Sequence, residues 1–246
     1  DFNQRVIPQV TANFLFQEAV ARYRFAVKQL KRSKLILDVG SGTGYGTAIL
    51  GTKGTVIGVD IDKDAVAYAQ KNYPQATFIS GSALNLPFPN SQADAVISFE
   101  TIEHFPQTQK FVSEVKRVLR PRGLFILSTP NSQSNSPYHA KYFTPTSLLA
   151  ALKPKFRRVW IFGQYKSRRA QKAFQQFLLS QTARQTYVDA DIFKLRHLIP
   201  KSVKEKLWKY LGALHGRSRQ EHLTWKHFPI RKQTKNCEYL IAVCQK

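Results

Sequence analysis

The feature that most constrains this chain is a glycine-rich turn directly after a short apolar run. Residues 35–39 form the apolar run, and a segment compatible with a helix, residues 47–50, follows the turn. An apolar run of this length that ends in glycines is typical of a buried parallel strand entering a tight turn. Because glycine has no Cβ, the backbone can approach a ligand, and the following helix points its free N–H groups at the same place. The sequence therefore predicts an α/β fold with a ligand at the turn containing Gly40, Gly42, Gly44 and Gly46.

The spacing of these glycines matches neither of two common phosphate-binding fingerprints. A dinucleotide-binding turn has the pattern G-x-G-x-x-G. Counted from Gly40, the third glycine would fall at Tyr45, and counted from Gly42, it would fall at Thr47. A P-loop requires Gly-Lys followed by Ser or Thr, and that motif does not follow. A ligand of another class is therefore expected at this turn.

A carboxylate after the next apolar run supports a nucleoside ligand. Residues 55–59 form that run, and Asp60 follows it, 20 positions after Gly40. A carboxylate at the end of the second strand can accept two hydrogen bonds from a ribose diol. The alternative is a solvated carboxylate near the start of a helix that begins about Asp62. The glycine turn at this spacing favours the ribose interpretation.

These segments, taken in order, resemble a known enzyme family. Asp38 followed by G-x-G-x-G resembles motif I of the class I S-adenosylmethionine-dependent methyltransferases, and residues 100–106 resemble the segment after their fourth strand. Within that class the chain is similar to type 11 enzymes and to bacterial glycan and small-molecule methyltransferases. The resemblance implies S-adenosylmethionine as the methyl donor and S-adenosylhomocysteine as the product.

The resemblance also implies the fold. We expect an α/β, Rossmann-like seven-stranded sheet in the order 3-2-1-4-5-7-6, with the last strand antiparallel and helices on both faces. The whole chain, residues 1–246, is expected to form a single domain. Between strands six and seven we expect a basic, mostly helical insertion over residues 166–235.

The family motifs carry cofactor contacts onto particular positions of this chain. The family usually has Gly-Asp-Ala near the adenine, whereas this chain has Ser82 in place of the Asp, which can hydrogen-bond but carries no charge. On a predicted helix over residues 10–30, Arg22 or Arg24 could pair with the methionine carboxylate, and a solvated charge on the outer face is the alternative for either. The expected cofactor-binding residues are Asp38, Gly40, Ser41, Gly42, Gly44, Asp60, Ile61, Ser82, Ala83, Glu100 and Arg22.

Two histidines are candidate catalytic bases. His104 follows the predicted fourth strand, and His139 lies in a long polar segment, residues 128–145, that resembles the acceptor side of small-molecule and glycan methyltransferases. A neutral imidazole can take a proton from an acceptor hydroxyl or amine. Either residue could equally be a structural histidine bonded to the backbone. No metal ligand is predicted from the sequence.

The charge is concentrated in the C-terminal part. The net formal charge is +23; residues 1–150 carry 16 Lys and Arg against 10 Asp and Glu, and residues 151–246 carry 22 against 5. An excess of +17 in the second part indicates an anionic partner, or it serves solubility alone. Residues 202–214 combine an apolar stripe with Trp208 and surrounding lysines, typical of a membrane-surface helix. The alternative is that the apolar face packs on the domain.

We therefore expect a methyltransferase that modifies a hydroxyl or amine of a small molecule, sugar or lipid-linked acceptor. Nucleic acid is a weaker candidate, because the chain lacks the Pro-Pro-aromatic motif of DNA amino-methyltransferases and the Pro-Cys nucleophile of cytosine C5 enzymes. An RNA methyltransferase that uses the basic C-terminal part and a non-catalytic cofactor-binding module remain alternatives.

The sequence also bears on location. No apolar run reaches the ~18–20 residues that span a bilayer, and no secretory segment begins the chain. The expected location is cytoplasmic, with peripheral contact at the inner membrane surface through residues 201–214. Cys237 and Cys244 are expected to be unpaired thiols on opposite faces of one strand. The oligomeric state is left open.

Overall fold

A computed structural model describes residues 6–8, 11–31, 33–131, 139–190 and 223–246, with only the backbone of residues 180–190. In these residues eight strands form one sheet in the order β3-β2-β1-β4-β5-β8-β6-β7. The strands are β1 (Ser33–Val39), β2 (Gly54–Asp60), β3 (Thr77–Ser80), β4 (Ala93–Phe99), β5 (Leu119–Pro130), β6 (Arg158–Gln164), β7 (Ile230–Arg231) and β8 (Tyr239–Gln245).

The pairing directions confirm the predicted topology. β1 pairs in parallel with β2 and β4, and β3 and β5 extend the parallel sheet on either side. β8 lies between β5 and β6 and is antiparallel to both. The difference from the expectation is β7, a two-residue strand that pairs with the end of β6 and adds an eighth member at the edge.

Helices cover the two faces of the sheet. They are α1 (Asn13–Gln29), α2 (Tyr45–Leu50), α3 (Lys63–Asn72), α4 (Thr108–Val118), α5 (Pro145–Leu152) and α6 (Arg168–Ala190), with 3₁₀ turns at Gly51–Lys53, Ile102–His104 and Trp225–His227. Successive residues of a strand point to opposite faces. Leu37 accordingly packs in the cluster that includes Phe111 of α4 and Leu148 of α5, whereas Ile36 packs with Tyr23 of α1 and Leu50 of α2.

Two helix starts follow from side-chain caps that the sequence contains. Asp62 caps α3, because its Oδ1 accepts hydrogen bonds from the backbone N–H groups of Asp64 and Ala65. Thr144 and Ser147 form a reciprocal capping box at α5, with Pro145 in the first turn. Proline suits this position because its missing N–H would have no helical partner there. These side chains therefore determine where α5 begins.

Three sequence-based expectations need comment. Cys237 lies in the turn before β8 rather than in the strand with Cys244, so the idea of two thiols on one strand was wrong; both are buried and unpaired. The predicted basic helix over residues 202–214 lies outside the described residues. Among the described helices, none combines the length and apolar character that crossing a bilayer requires.

Candidate active site

The carboxyl ends of β1, β2 and β4 bring the predicted site residues to one edge of the sheet. β1 is flanked by β2 and β4, and all three run in the same direction. The glycine turn follows β1, Asp60 ends β2, and Glu100 follows β4 directly. Ligands of open α/β sheets bind at this edge. The sheet topology therefore gathers residues that are up to 60 positions apart in the sequence.

The turn after β1 has a backbone conformation that favours glycine. Gly40, Gly42 and Gly44 have φ values of +77°, +53° and +86°. A Cβ on Gly40 would lie 2.6 Å from the Thr101 hydroxyl oxygen, and one on Gly44 would lie 2.7 Å from the Ala69 methyl carbon. Both the left-handed backbone and the close neighbours exclude larger residues here. The result is a tight turn, half-buried to buried, next to the start of α2.

Asp60 is held in place by backbone N–H groups of the surrounding turns. Its Oδ2 accepts a hydrogen bond from Gly42 at 2.7 Å, and its Oδ1 accepts one from Asp62 at 3.0 Å. An ionised carboxylate has about four acceptor positions, and these two bonds use two of them. The neighbouring Ile61 exposes 74% of its surface, which is unusual for a large apolar side chain. An apolar surface of a ligand could cover it.

Asp38, by contrast, is enclosed by its own protein. Thr47 donates a hydrogen bond to Asp38 Oδ2 at 2.7 Å, and the Tyr23 hydroxyl donates to Oδ1 at 3.3 Å. Burial raises the pKa of Asp38 to about 7; the two hydroxyls offset part of that shift, and the charge of Asp60 adds to it. In this geometry Asp38 connects β1 to α1 and α2, and it has no exposed surface for a ligand.

Two serines near the turn differ in how their hydroxyls are used. The Ser41 side chain is 3% exposed, and its hydroxyl has no hydrogen-bond partner among the described groups. Ser82 accepts a hydrogen bond from the Leu84 N–H at 3.2 Å within a local turn, and its proton can still be donated. Ala83, beside it, packs against the hydrophobic core. A buried hydroxyl without a partner at the glycine turn is a position where a ligand polar group would be favourable.

Arg22 reaches the same edge from α1. Its Nη1 donates to Gln164 Oε1 at 2.9 Å, and its guanidinium lies 4.5 Å from the centre of the Tyr239 ring. Burial alone would lower the pKa of Arg22, but the nearby Glu100 carboxylate and other acidic groups hold it above its ordinary value. Its Nε has no acceptor among the described groups. Arg24, the alternative on the same helix, is exposed on the outer face.

Glu100 adopts a strained backbone directly after β4. Its φ is +52°, which is uncommon outside glycine. Ser128 of β5 holds it there: the Ser128 hydroxyl donates to Glu100 Oε1 at 2.6 Å, and the Glu100 N–H donates to the Ser128 carbonyl at 3.1 Å. Burial raises the pKa of Glu100, and Arg22, Ser128 and His104 each act to lower it. Strain of this kind is often found where a side chain is positioned for function.

The two candidate histidines meet beside this edge. The ring centres of His104 and His139 lie 5.2 Å apart, with the ring planes at 81°. His104 is exposed and His139 is half-buried. The chain around His139 is fixed by a hydrogen bond from the Lys141 N–H to the Glu103 carbonyl at 3.1 Å. Burial, and then the charge of His104, lower the pKa of His139, which favours the neutral imidazole that can accept a proton.

Glu103 is a residue that sequence reasoning did not select. It lies in the segment that follows β4, but its side chain is only 1% exposed, and it lies next to both histidines. Burial raises its pKa well above the usual range, Glu100 adds to this, and the nearby Thr129 hydroxyl offsets part of it. The signal in the sequence is its place directly before His104. Its burial depends on the tertiary fold and could not be seen there.

Comparisons with known proteins agree with this arrangement. A family model described as a methyltransferase domain matches residues 37–127. A probable S-adenosylmethionine-dependent methyltransferase of Mycolicibacterium smegmatis is 41% identical over 103 residues, covering 42% of this chain and 40% of that protein. The fatty-acid O-methyltransferase of the same species is 30% identical over 137 residues, covering 53% and 50%. The matched part thus spans half or less of the length of either relative.

A solved structure shares the fold over nearly the whole chain. A methyltransferase of Thermotoga maritima, described as a possible histamine N-methyltransferase, superposes with a TM-score of 0.62 at 14% identity, covering 95% of this chain and 91% of that one. At this identity the likeness concerns the architecture alone. It supports the Rossmann-like sheet that the strand order shows.

The residues at the sheet edge fit an adenosine-bearing cofactor. The glycine turn follows β1, the Asp60 carboxylate lies beside it and accepts a hydrogen bond from Gly42, and the Ser41 hydroxyl is buried without a partner among the described groups. These features occur inside or beside the segment that the family model matches. Residues 37–127 therefore match a methyltransferase domain, the chain is similar to S-adenosylmethionine-dependent methyltransferases, and S-adenosylmethionine is the cofactor that these residues fit.

Proposed function

We propose that this chain transfers a methyl group to a hydroxyl or amine of a small molecule, sugar or lipid-linked acceptor. The observation that carries the proposal is the position of the histidine pair. The ring centres of His104 and His139 lie 5.2 Å apart beside the end of β4. β4 pairs with β1, and the glycine turn that follows β1 fits the cofactor. An acceptor at the pair would therefore lie close to the cofactor site.

Each end of the cofactor has a protein group suited to it. Asp60 would accept hydrogen bonds from the ribose diol, and exposed Ile61 would cover an apolar part of the adenine. The Arg22 guanidinium, whose Nε lacks an acceptor among the described groups, and the Glu100 carboxylate would bind the oppositely charged ends of the methionine portion. When bound, S-adenosylmethionine supplies a methyl group already activated by the positive sulfonium. The protein then mainly aligns the acceptor with that methyl group.

A base would assist an acceptor that carries a proton. The half-buried His139 is favoured in its neutral form by its lowered pKa, so it can accept the proton of a hydroxyl or ammonium group near neutral pH. His104 lies beside it and is the alternative. General-base assistance of this kind contributes roughly 10²–10⁴ in rate.

A lipid-linked acceptor is supported by a relative and by the charge. One relative is named as a fatty-acid O-methyltransferase. The C-terminal part, residues 151–246, carries 22 Lys and Arg against 5 Asp and Glu. An excess of positive charge favours contact with an anionic membrane surface, where such an acceptor is held. The same charge is the argument for RNA as the competing acceptor.

The test uses methyl-labelled cofactor, the purified chain and a fractionated lysate. Label in the aqueous and lipid fractions is counted separately from label in RNA. We compare wild type with Asp60→Ala, which removes the proposed ribose acceptor, and with Asp62→Ala as the matched control. Asp62 is a carboxylate two positions away that caps α3. Its loss should lower the free energy of unfolding by about 0.5–2 kcal/mol but leave the Asp60 carboxylate, the proposed ribose acceptor, intact.

We expect label in small molecules or lipid that disappears in Asp60→Ala and persists in Asp62→Ala. Label confined to RNA would assign the enzyme to the competing acceptor class. If the chain binds the cofactor in a calorimeter but labels no fraction, the non-catalytic alternative is favoured. If Asp60→Ala binds the cofactor as tightly as wild type, the role given to Asp60 is wrong.

A further inference from the structure

Three side chains with metal-binding atoms converge at the acceptor side of the site. They are Glu103, His104 and His139, and one ligand atom from each lies within 4.8 Å of the others. Glu103 and His104 are held by the 3₁₀ turn Ile102–His104 after β4, and His139 returns to this place 35 positions later. The Lys141 N–H bond to the Glu103 carbonyl holds the two segments together. The convergence is thus built by the fold rather than by neighbouring positions in the sequence.

The second feature of this cluster is a buried carboxylate, that of Glu103, without a hydrogen bond to the described residues. Its side chain is 1% exposed, and neither Oε1 nor Oε2 has a hydrogen-bond partner among the described groups. A buried carboxylate without a hydrogen-bond partner is costly, because its lost interactions with water are not fully replaced. Such a group is normally paired with a cation or bound to a metal. The two imidazoles place metal-binding atoms close to this carboxylate, and the charge of Arg22 also acts on it.

The donor set indicates which ions would bind. Two imidazole nitrogens and one carboxylate oxygen are the protein ligands found in many open zinc sites. Imidazole also suits iron, nickel and copper, whereas Mg²⁺ and Ca²⁺ prefer oxygen ligands alone. Ligand atoms about 2.0–2.1 Å from a zinc ion lie roughly 3.3 Å from one another. The three atoms lie within 4.8 Å of one another, which is compatible with a zinc site after small side-chain rotations.

We propose that Glu103, His104 and His139 bind one divalent transition-metal ion, with zinc as the best match. Three protein ligands leave at least one coordination position open at the acceptor side of the site. A metal held there binds an oxygen of the acceptor, which selects acceptors with a hydroxyl, or with paired oxygens, over a plain amine.

This inference rests on the proposed function and changes the role of the histidines in it. An imidazole that donates its lone pair to a metal cannot also take a proton. In that case the metal lowers the pKa of the bound hydroxyl. The oxygen–methyl bond forms as the carbon–sulfur bond of the sulfonium breaks, and the hydroxyl proton passes to water. The neutral thioether product then leaves.

The test measures metal binding directly and needs no acceptor. The full chain is stripped with a chelator, and Zn²⁺ is titrated by calorimetry; Co²⁺ is added separately, because its visible absorption reports the ligand geometry. We expect one Zn²⁺ per chain. His139→Ala and Glu103→Gln should each weaken binding on the order of 100-fold or more, since each removes a ligand. The matched control is His227→Ala, because His227 lies outside the cluster and caps a 3₁₀ turn near Thr224.

Glu103→Gln also shows that a loss of binding is not a loss of folding. The amide has nearly the same shape and cannot ionise, so the metal-free variant should unfold at the same or a higher urea concentration than wild type. The proposal is overturned if wild type binds no Zn²⁺, or if His139→Ala and Glu103→Gln bind it as tightly as His227→Ala.

The same samples separate this proposal from the proposed function. If the wild-type chain binds Zn²⁺ but transfers methyl groups equally well after complete removal of the metal, the metal site is supported and its role in the reaction is refuted. Zn²⁺ binding at the cluster without methyl transfer to any fraction would support the site and count against the proposed function. Methyl transfer that requires Zn²⁺ and fails in His139→Ala supports both.

Discussion

At the scale of single residues, a strongly perturbed group beside the cofactor turn is a carboxylate that the protein encloses. Asp38 is fully buried and accepts hydrogen bonds from Thr47 and Tyr23. Burial raises its pKa from 3.8 to about 7. The folded protein therefore keeps a proton on this group over a pH range in which the unfolded chain has lost it. This carboxylate thus makes the stability of the fold depend on pH.

The sign of that dependence gives a prediction. Where the folded state binds more protons than the unfolded state, stability falls as the pH rises. For Asp38 the loss begins near pH 3.8 and is complete above about pH 7, and a shift of this size corresponds to about 4 kcal/mol. We expect the unfolding free energy of wild type, relative to Asp38→Asn, to decrease across this window. Urea unfolding of both proteins at several pH values measures the difference, and a constant difference would contradict the raised pKa.

The same scale shows what the sequence could and could not reveal about the site. The glycine turn and Asp60 could be predicted, because strand ends and local spacing determine where such residues lie. The enclosure of Asp38 could not, since it depends on the Tyr23 hydroxyl that α1 brings from 15 positions away. Glu103 was missed for a similar reason: only the folded chain shows that its carboxylate is buried and near His139.

At the scale of elements, α1 is fixed over the site by contacts that leave no spare space. Gly46 of α2 lies under the Tyr23 ring of α1, and a Cβ at that position would be 1.9 Å from the Tyr23 Cζ. Farther along, a buried Lys166 Nζ lies 3.2 Å from Glu18 of α1, and Gln164 accepts a hydrogen bond from Arg22. The helix that carries Arg22 is therefore held at both α2 and the end of β6.

Gly46→Ala should destabilise the protein by disturbing the packing of α1 on α2. The added methyl group must displace the Tyr23 ring, and overpacking of this kind costs about 1–3 kcal/mol. Gly51→Ala is the matched control, because Gly51 ends α2 with ordinary helical dihedral angles and a Cβ added there would have no neighbour within 4 Å. We expect this control to be neutral or stabilising by about 0.4–1 kcal/mol. Urea midpoints of the two variants should move apart, and equal midpoints would refute the close packing of α1 on α2.

The elements themselves were largely predictable. The sheet order followed from the family resemblance, and the sequence indicated that a helix begins about Asp62, where α3 starts. The two-residue β7 was not predicted, because pairing at Ile230 and Arg231 depends on the neighbouring end of β6 rather than on a local apolar pattern. Cys237 was placed in a strand because apolar composition alone does not show where the turn ends.

At the scale of the whole molecule, the charge distribution predicts contact with anionic surfaces. The net charge is +23, and most of it lies in residues 151–246. We expect the full chain to sediment with vesicles that contain anionic lipid and not with neutral vesicles. High salt should release it from the anionic vesicles, because the charges are screened. Each basic residue near such a surface contributes about 1 kcal/mol. The contact is proposed for residues 201–214, which lie outside the described residues.

A charge-reversed variant locates that contact. Changing Lys201, Lys204, Lys206 and Lys209 to Glu should weaken vesicle binding by about 4 kcal/mol or more, roughly a thousandfold. The control reverses the same number of exposed lysines in the first part of the chain: Lys31, Lys63, Lys71 and Lys110. Equal losses in the two variants would show a general charge effect without a local contact. If the variant of the 201–214 segment keeps its vesicle binding but loses RNA binding, the RNA alternative is favoured.

The position of β8 also determines the order in which the sheet can be completed. β8 lies between β5 and β6, and β6 reaches the rest of the sheet only through it. During synthesis β5 is made more than a hundred residues before Tyr239–Gln245. The β5 edge of the parallel sheet therefore stays open while the basic segment, residues 166–235, is made. Open strand edges attract other strands. The dense positive charge of that segment would keep partly made chains apart until β8 closes the sheet.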